Sequence, residues 1–285
     1  CLVKYALKEL LKDKSADAIL QLTICEPAMG SAAFLNEAVN QLAEAYLERK
    51  QAELGQRIPH DRYTPELQRT KMFIADRNVF GVDLNPVAVE LAEVSLWLNA
   101  ISGSSHVPWF GYQLFCGNSL VGARRQGMPS AWLGPRADPL WHERAPRRVR
   151  PGQPDRQAEE VYHFLLPDPG MADYRDRVAR ARYPEAFQRL RSWRRAFCRP
   201  LNNDEIALLQ ELSGLVDELW ALHARELAQD RARTEDWLPV WGQPDAEGLR
   251  SSTGDKDRVR ANGIFNDDSP VASAYRRLKL VMDYW

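Results

Sequence analysis

The stretch that most constrains this chain is the apolar run Ala18-Ile19-Leu20-Gln21-Leu22-Thr23-Ile24-Cys25, joined directly to Glu26-Pro27-Ala28-Met29-Gly30-Ser31-Ala32-Ala33-Phe34-Leu35. The apolar run predicts a buried strand. Next come an acid, a turn of small residues and an amphipathic pattern (Phe34, Leu35, Ala38, Leu42, Ala45, Tyr46) that predicts a helix over 31–54. Ser31 is expected as its N-cap and Gly55 as its stop. Strand, acid, small-residue turn and helix, in that order, place a ligand at the carboxyl end of a parallel sheet. Small residues let the backbone approach a bound molecule, and the N–H groups at a helix start suit an anion. Glu26 can accept from a cationic amine or from hydroxyls. A ligand carrying both an amine and a carboxylate would satisfy such a corner.

Two further segments have the same character. Val79-Phe80-Gly81-Val82-Asp83-Leu84-Asn85-Pro86-Val87-Ala88-Val89 reads as a strand ending in an acid, then a helix opened by Asn85 and Pro86. Leu114-Phe115-Cys116-Gly117-Asn118-Ser119-Leu120 reads as a third strand ending in a turn. The first motif, E-P-A-M-G-S-A-A-F-L, resembles the cofactor motif of S-adenosylmethionine-dependent DNA adenine methyltransferases, usually D/E-P-A-x-G-S-G-x-F-L, with Ala32 where the family has its second glycine. The other two are similar to that family's acidic second strand end and to the G-D/N-S-L end of its third. Three motifs in the right order are far more specific than one glycine-rich loop. The resemblance covers residues 1 to about 122, and is closest to large methyltransferases of bacterial restriction and phage-defence systems, of the PglX and DISARM kind.

The resemblance implies an α/β fold. A truncated, Rossmann-like class I methyltransferase core would occupy residues 1–122, and a mainly helical insert or second region residues 123–285. S-adenosyl-L-methionine would be the cofactor and double-stranded DNA the partner, with other defence-system subunits as further candidates. Glu26, followed by Pro27, would serve the methionine amino group or nearby loop amides, and Gly30 close backbone approach. Asp83 would take the ribose hydroxyls and Asn118 the adenine edge, with Ala28, Met29 and Leu84 lining the pocket. The family flips its target adenine from the duplex and holds it with Asn/Asp-Pro-Pro-Tyr/Phe after the fourth strand. That tetrapeptide is absent from the sequence. Asn85-Pro86 precedes the third strand, and Asp168-Pro169-Gly170-Met171 lacks the second proline and the aromatic, so it reads as a turn. The catalytic residues are therefore expected beyond Trp285. The start at Cys1, inside a helical pattern over 3–12, is expected to mark a fragment of a longer protein.

A nicotinamide dehydrogenase is disfavoured: Gly30 and Asp83 stand 53 residues apart, where a plain dinucleotide-binding unit has its acid roughly 20 residues past its glycines. The intervening residues predict a polar turn over 56–64 and a short helix over 66–74. The helix after Pro86 is apolar on most sides (Val87, Val89, Leu91, Val94, Leu96, Trp97, Leu98, Ile101), which predicts deep burial against the sheet. Residues 121–158 show no period and are expected to be irregular. A strand is expected at Val161–Leu166, helices at about 184–198, 203–233 and 269–285, and a disordered stretch over 242–263.

Formal net charge is -1, so no global basic charge announces nucleic acid. Arginine outnumbers lysine 30 to 8, which codon bias explains well. Its distribution is more informative: residues 136–199 hold 15 arginines against 9 acids, a local excess of six that suits a phosphate backbone. A solvated helix face accounts for it nearly as well. Four widely spaced cysteines without a C-x-x-C pair argue against a zinc site or a disulfide framework and for a reducing cytoplasm. His60, His106, His142, His163 and His223 have no metal-ligand spacing, so no metal is expected, and no run is long enough to span a membrane. Two alternatives stand beside the methyltransferase reading: a non-catalytic methyltransferase-like scaffold subunit, and methylation of RNA or protein.

Overall fold

The computed structural model describes residues 2–101, 106–149, 156–171, 173–244, 248, 250–266 and 268–284 of the 285-residue chain. The chain is mixed α/β and divides into two compact units, Cys1–Val121 with Ala228–Gly263, and Gly122–Leu227 with Ile264–Trp285.

The first unit begins with α1 (Leu2–Leu11) and α2 (Ala16–Ile19) before β1 (Ile24–Glu26). The expected strand over 18–25 is thus mostly something else. Ser15 accepts the Ala18 N–H at 3.2 Å as the N-cap of α2, and the Ala16 N–H donates to Glu53 at 2.7 Å. Asn78 then donates its side-chain amide to the carbonyl of Leu20 at 2.9 Å, which holds the link to β1 in a non-strand path. An apolar run alone does not separate a buried helix from a buried strand.

Helix α3 (Ala33–Leu54) stops at Gly55, which is left-handed as expected (φ 62°). Its N-cap is Ala32 and not Ser31. Helix α4 (His60–Arg77) takes in the expected short helix and the second part of the expected turn, residues 56–59 staying outside it, with Pro65 tolerated inside its first turns. Strand β2 (Val79–Asp83) leads to α5 (Pro86–Ala100), whose N-cap Asn85 accepts the Val87 N–H at 3.0 Å, and then to β3 (Leu114–Cys116). The three strands form a parallel sheet in the order β1-β2-β3, with Glu26 beside Gly81 and Asp83 beside Cys116. Its core is made by α3 (Leu35, Val39, Leu42, Tyr46), α4 (Met72, Ile74), α5 (Ala92, Leu96) and Leu114. Only one stripe of α5 is buried, Ala92, Leu96 and Ala100; Val87, Leu91, Val94 and Leu98 are exposed. The expectation of burial on most sides of this helix does not hold.

The second unit contains a sheet where irregular chain was expected. Strands β4 (Gln126–Pro129), β5 (Arg147–Arg148) and β6 (Glu160–Tyr162) pair antiparallel in the order β5-β4-β6. They are too short, and too rich in Gly, Pro and Arg, to show a period. The expected strand over 161–166 keeps two residues in β6 and continues as a 3-10 turn over His163–Leu165. Helices α6 (Arg177–Arg182), α7 (Pro184–Phe197) and the start of α8 (Asn203–Thr234) complete this unit together with the last helix of the chain. Its sheet packs on Leu133, Trp141 and Leu201, and Tyr162 and Phe164 on Val216 of α8. Burial pushes the Tyr162 hydroxyl up to about 12, and that hydroxyl donates to Asp217 at 2.6 Å.

The expected disordered stretch over 242–263 contains helix α9 (Thr253–Asn262), capped by Ser252; residues 245–247 and 249 lie outside the described ones. The final helix, α10, runs Ala274–Tyr284. The expected division at residue 122 is also not followed throughout, because Ala228–Gly263 packs with the first unit. Among the described residues, no helix is long and apolar enough to cross a membrane.

Candidate functional site

Because β1, β2 and β3 are adjacent and parallel, the residues that succeed them are brought into one row at the carboxyl edge of the sheet. Glu26 ends β1, Asp83 ends β2, and Gly117 and Asn118 come after β3. The turn after β1 is fixed by two bonds to β2. The Met29 N–H donates to the Val82 carbonyl at 3.0 Å, and the Gly30 N–H to Asp83 Oδ2 at 2.9 Å. The other carboxylate oxygen, Oδ1, accepts the Asn85 N–H at 2.9 Å. The corner after β3 joins the row through its own backbone, the Gly117 N–H donating to the Asp83 carbonyl at 2.9 Å.

Asp83 thus connects all three motifs. The backbone N–H of Asn85, and then that of Gly30, hold its carboxyl below the usual carboxylate range, so it is an anion at neutral pH. Each carboxylate oxygen has about two acceptor sites, and one is used on each, so the group can still accept hydroxyl donors.

Glu26 differs: half-buried at the end of β1, its carboxylate makes no hydrogen bond or ion pair among the described residues. A carboxylate with free acceptor sites is what an amine or hydroxyl ligand requires. Next to it, burial and then the Glu26 charge push the Cys25 thiol up, which makes Cys25 a poor nucleophile.

Gly30 is left-handed (φ 54°), and the space where a Cβ would stand is open to 4 Å. Nothing in the protein fills that space, so the backbone there can be approached closely. Helix α3 starts a few residues on with no side chain capping it, so its first N–H groups are left for another acceptor. Ala32 is also left-handed (φ 66°, ψ 29°) and fully buried, the position at which the resembling family carries glycine. The start of α3 is tied to α5 by Asn36 donating to Ser95 at 2.6 Å.

The other expected site residues differ in their surroundings. Pro27 and Ala28 lie exposed in the turn. Met29 is 3% exposed and packs into the core rather than facing outward; a Cβ on Gly81 would stand 2.2 Å from its sulfur. Gly81, which the motif pattern did not single out, is therefore the residue that lets the turn sit on β2. Its signal was present in the chain, since a glycine inside a strand marks close approach. Leu84 is 70% exposed at the strand end. Asn118 is exposed and accepts the Leu120 N–H at 2.9 Å through Oδ1, which leaves its amide N–H groups available. Asp168 forms the expected turn, accepting from Gly170 at 2.6 Å. Among the described residues, no group of three or more His, Cys, Asp or Glu is placed to hold a metal ion.

Over 116 residues, 37% of this chain, the sequence is 32% identical to a protein of Methanocaldococcus jannaschii named as a proposed type II restriction enzyme and methyltransferase. The match covers 9% of that relative's own length. No family model matches the chain, and no solved structure matches it.

Proposed function

We propose that this chain is the cofactor-binding part of a DNA adenine N6-methyltransferase of a restriction–modification or phage-defence system, taking its methyl group from S-adenosyl-L-methionine. The observation that carries the reading is the row of strand ends built around Asp83, with Glu26 unpaired beside it. The likeness to the archaeal restriction enzyme and methyltransferase supports it, although that relative is far longer than the region matched. The residues suit the cofactor. Glu26 would accept from the methionine amino group, and the N–H groups at the α3 start would meet its carboxylate. The open space at Gly30 would admit the chain joining the two ends of the ligand. Asp83 would take the ribose hydroxyls and Asn118 the adenine edge, with Leu84 as an apolar wall.

When bound, the cofactor supplies an electrophilic methyl on a sulfonium centre. The protein's own contribution in this chain is positioning, which converts an encounter of two molecules into a reaction within one complex. No residue here is assigned to the target base, since the sequence lacks Asn-Pro-Pro-Tyr/Phe. That absence, with Ala32 strained in place of glycine, favours a second reading: a methyltransferase-like scaffold without catalysis.

Calorimetric titration with S-adenosylmethionine tests the proposal. One-to-one saturable binding is expected, weakened at least about tenfold by Asp83→Ala through loss of a charge-assisted pair of hydrogen bonds. Because the Asp83 carboxyl lies below its usual range in the folded chain, its contribution is complete above about pH 4 and is lost only as pH falls through its lowered value. Binding should therefore be flat with pH from about 5 to 8 as far as Asp83 is concerned. Absence of binding by the folded chain would refute the cofactor site and leave the scaffold reading.

A further inference from the structure

The basic excess seen in the sequence is not spread over residues 136–199. Between Asp173 and Arg199 there are nine arginines, three acids and no lysine, and the whole excess of six lies there. This stretch comprises α6, α7 and their flanks, all within the second unit. Two of its acids are already committed. Asp173 pairs with Arg175 at 2.9 Å and Arg194 at 3.3 Å, and Asp176 caps α6 by accepting the Ala179 N–H at 2.6 Å. Arg199 is held by Glu205 at 2.6 Å. Arg177, Arg182, Arg189, Arg191 and Arg195 are exposed, and their guanidinium groups make no ion pair or hydrogen bond among the described residues.

A solvated face does not explain this pattern. Solvated helices intersperse signs, whereas α7 has four arginines and the single acid Glu185 in its first turn. Arg191 and Arg195 stand four residues apart on one face, a like-charge spacing that costs an isolated helix a few tenths of a kcal/mol. Each guanidinium can meet a phosphate with two parallel hydrogen bonds. Side chains one helical turn apart are about 5–6 Å from each other, which suits successive charges along a nucleic-acid strand. Trp193 and Phe197 stack on each other 5.1 Å apart, both about half exposed, on the same helix.

We infer that the arginine face of α6 and α7 is a binding surface for the phosphate backbone of duplex DNA, a placement that rests on DNA being the substrate as proposed above. The contact is to backbone and carries no sequence preference by itself. The test is fluorescence anisotropy of a labelled duplex against the full chain at several salt concentrations, comparing wild type, Arg191→Gln/Arg195→Gln, Arg191→Lys/Arg195→Lys and Arg57→Gln, with circular dichroism to confirm folding. The glutamine pair should weaken binding about tenfold or more and lower the slope of log affinity against log salt by about two. The lysine pair should keep the slope, and Arg57→Gln, an exposed arginine of the first unit, should change nothing.

An unchanged slope in the glutamine pair would overturn the assignment. So would equal losses toward an acidic polypeptide with duplex affinity unaffected, which would mark a protein-binding face. Wild-type chain that binds S-adenosylmethionine but no duplex would sink the surface and spare the methyltransferase reading. Duplex binding that needs both arginines in a chain that binds no cofactor would do the reverse.

Discussion

At the residue scale, the site depends on Asp83 accepting two backbone N–H groups from opposite directions, Gly30 across the sheet and Asn85 along the chain. The turn that delivers Gly30 is bonded to β2 through the Met29 and Gly30 N–H groups, and it can lie that close because Met29 packs over Gly81. Gly81→Ala puts a methyl where the Met29 sulfur lies, so the turn must lift. We expect a loss of about 1–3 kcal/mol in urea unfolding, the range of overpacked cores, together with weaker cofactor binding. Normal stability with normal affinity would mean that Met29 simply swings aside. Ala32 carries backbone strain, since a left-handed alanine costs roughly 1–2 kcal/mol. That strain sits directly under the α3 start and is retained next to the proposed carboxylate position.

At the scale of the element, α5 shows why composition is a poor guide to burial. It carries two apolar stripes, and the sheet needs only one. Ala92, Leu96 and Ala100 repeat every four residues and enter the core, and Val87, Leu91, Val94 and Leu98 form the second stripe, open to solvent. Leu96→Ala should therefore cost about 2–5 kcal/mol by leaving a cavity, and Leu91→Ala less than about 1. Equal losses in denaturant titrations would contradict this division of the helix. Helix α3 presents the opposite case, because its period and the Gly55 stop were legible from sequence and the structure agrees with them. Its first turn was not legible. Ser31 has the chemistry of an N-cap, but the bonds from Met29 and Gly30 to β2 set the backbone so that Ala32 takes that position.

At the scale of the whole molecule, the segment Ala228–Gly263 joins the core of the first unit through Leu238, Val240 and Trp241, and polar groups add to that attachment. Within the segment, Asp236 and Lys256, both about 2% exposed, pair at 2.7 Å; across to the rest of the unit, His106 lies between Asp236 at 3.6 Å and Asp76 at 3.7 Å. Tyr112 donates to Asp230 at 3.2 Å, and Trp109 to Asp257 at 2.8 Å. The buried pair inside the segment is sensitive to the loss of one partner. Asp236→Ala leaves Lys256 buried without its counter-charge and should cost about 3–5 kcal/mol, whereas an apolar pair at both positions should recover most of it. Unfolding curves of the two variants would separate these outcomes.

By itself the sequence determined that Glu26 and Asp83 close β1 and β2 and that Asn118 lies just past β3, because these residues sit in local patterns of acid and turn that need no distant partner to be read. It also located the helices with a clear period, α3, α7 and α8, and the basic segment that includes α6 and α7. Only the tertiary structure decided that Ala16–Ile19 is helix, that β4, β5 and β6 pair into a sheet and that Ala228–Gly263 returns to the first unit. Each of these depends on partners far along the chain: Glu53 and Asn78 for the first, strand pairing for the second, Asp76, His106 and Tyr112 for the third. Short apolar runs and polar loops have no period of their own, so what fixes them is the group that satisfies their backbone and charge.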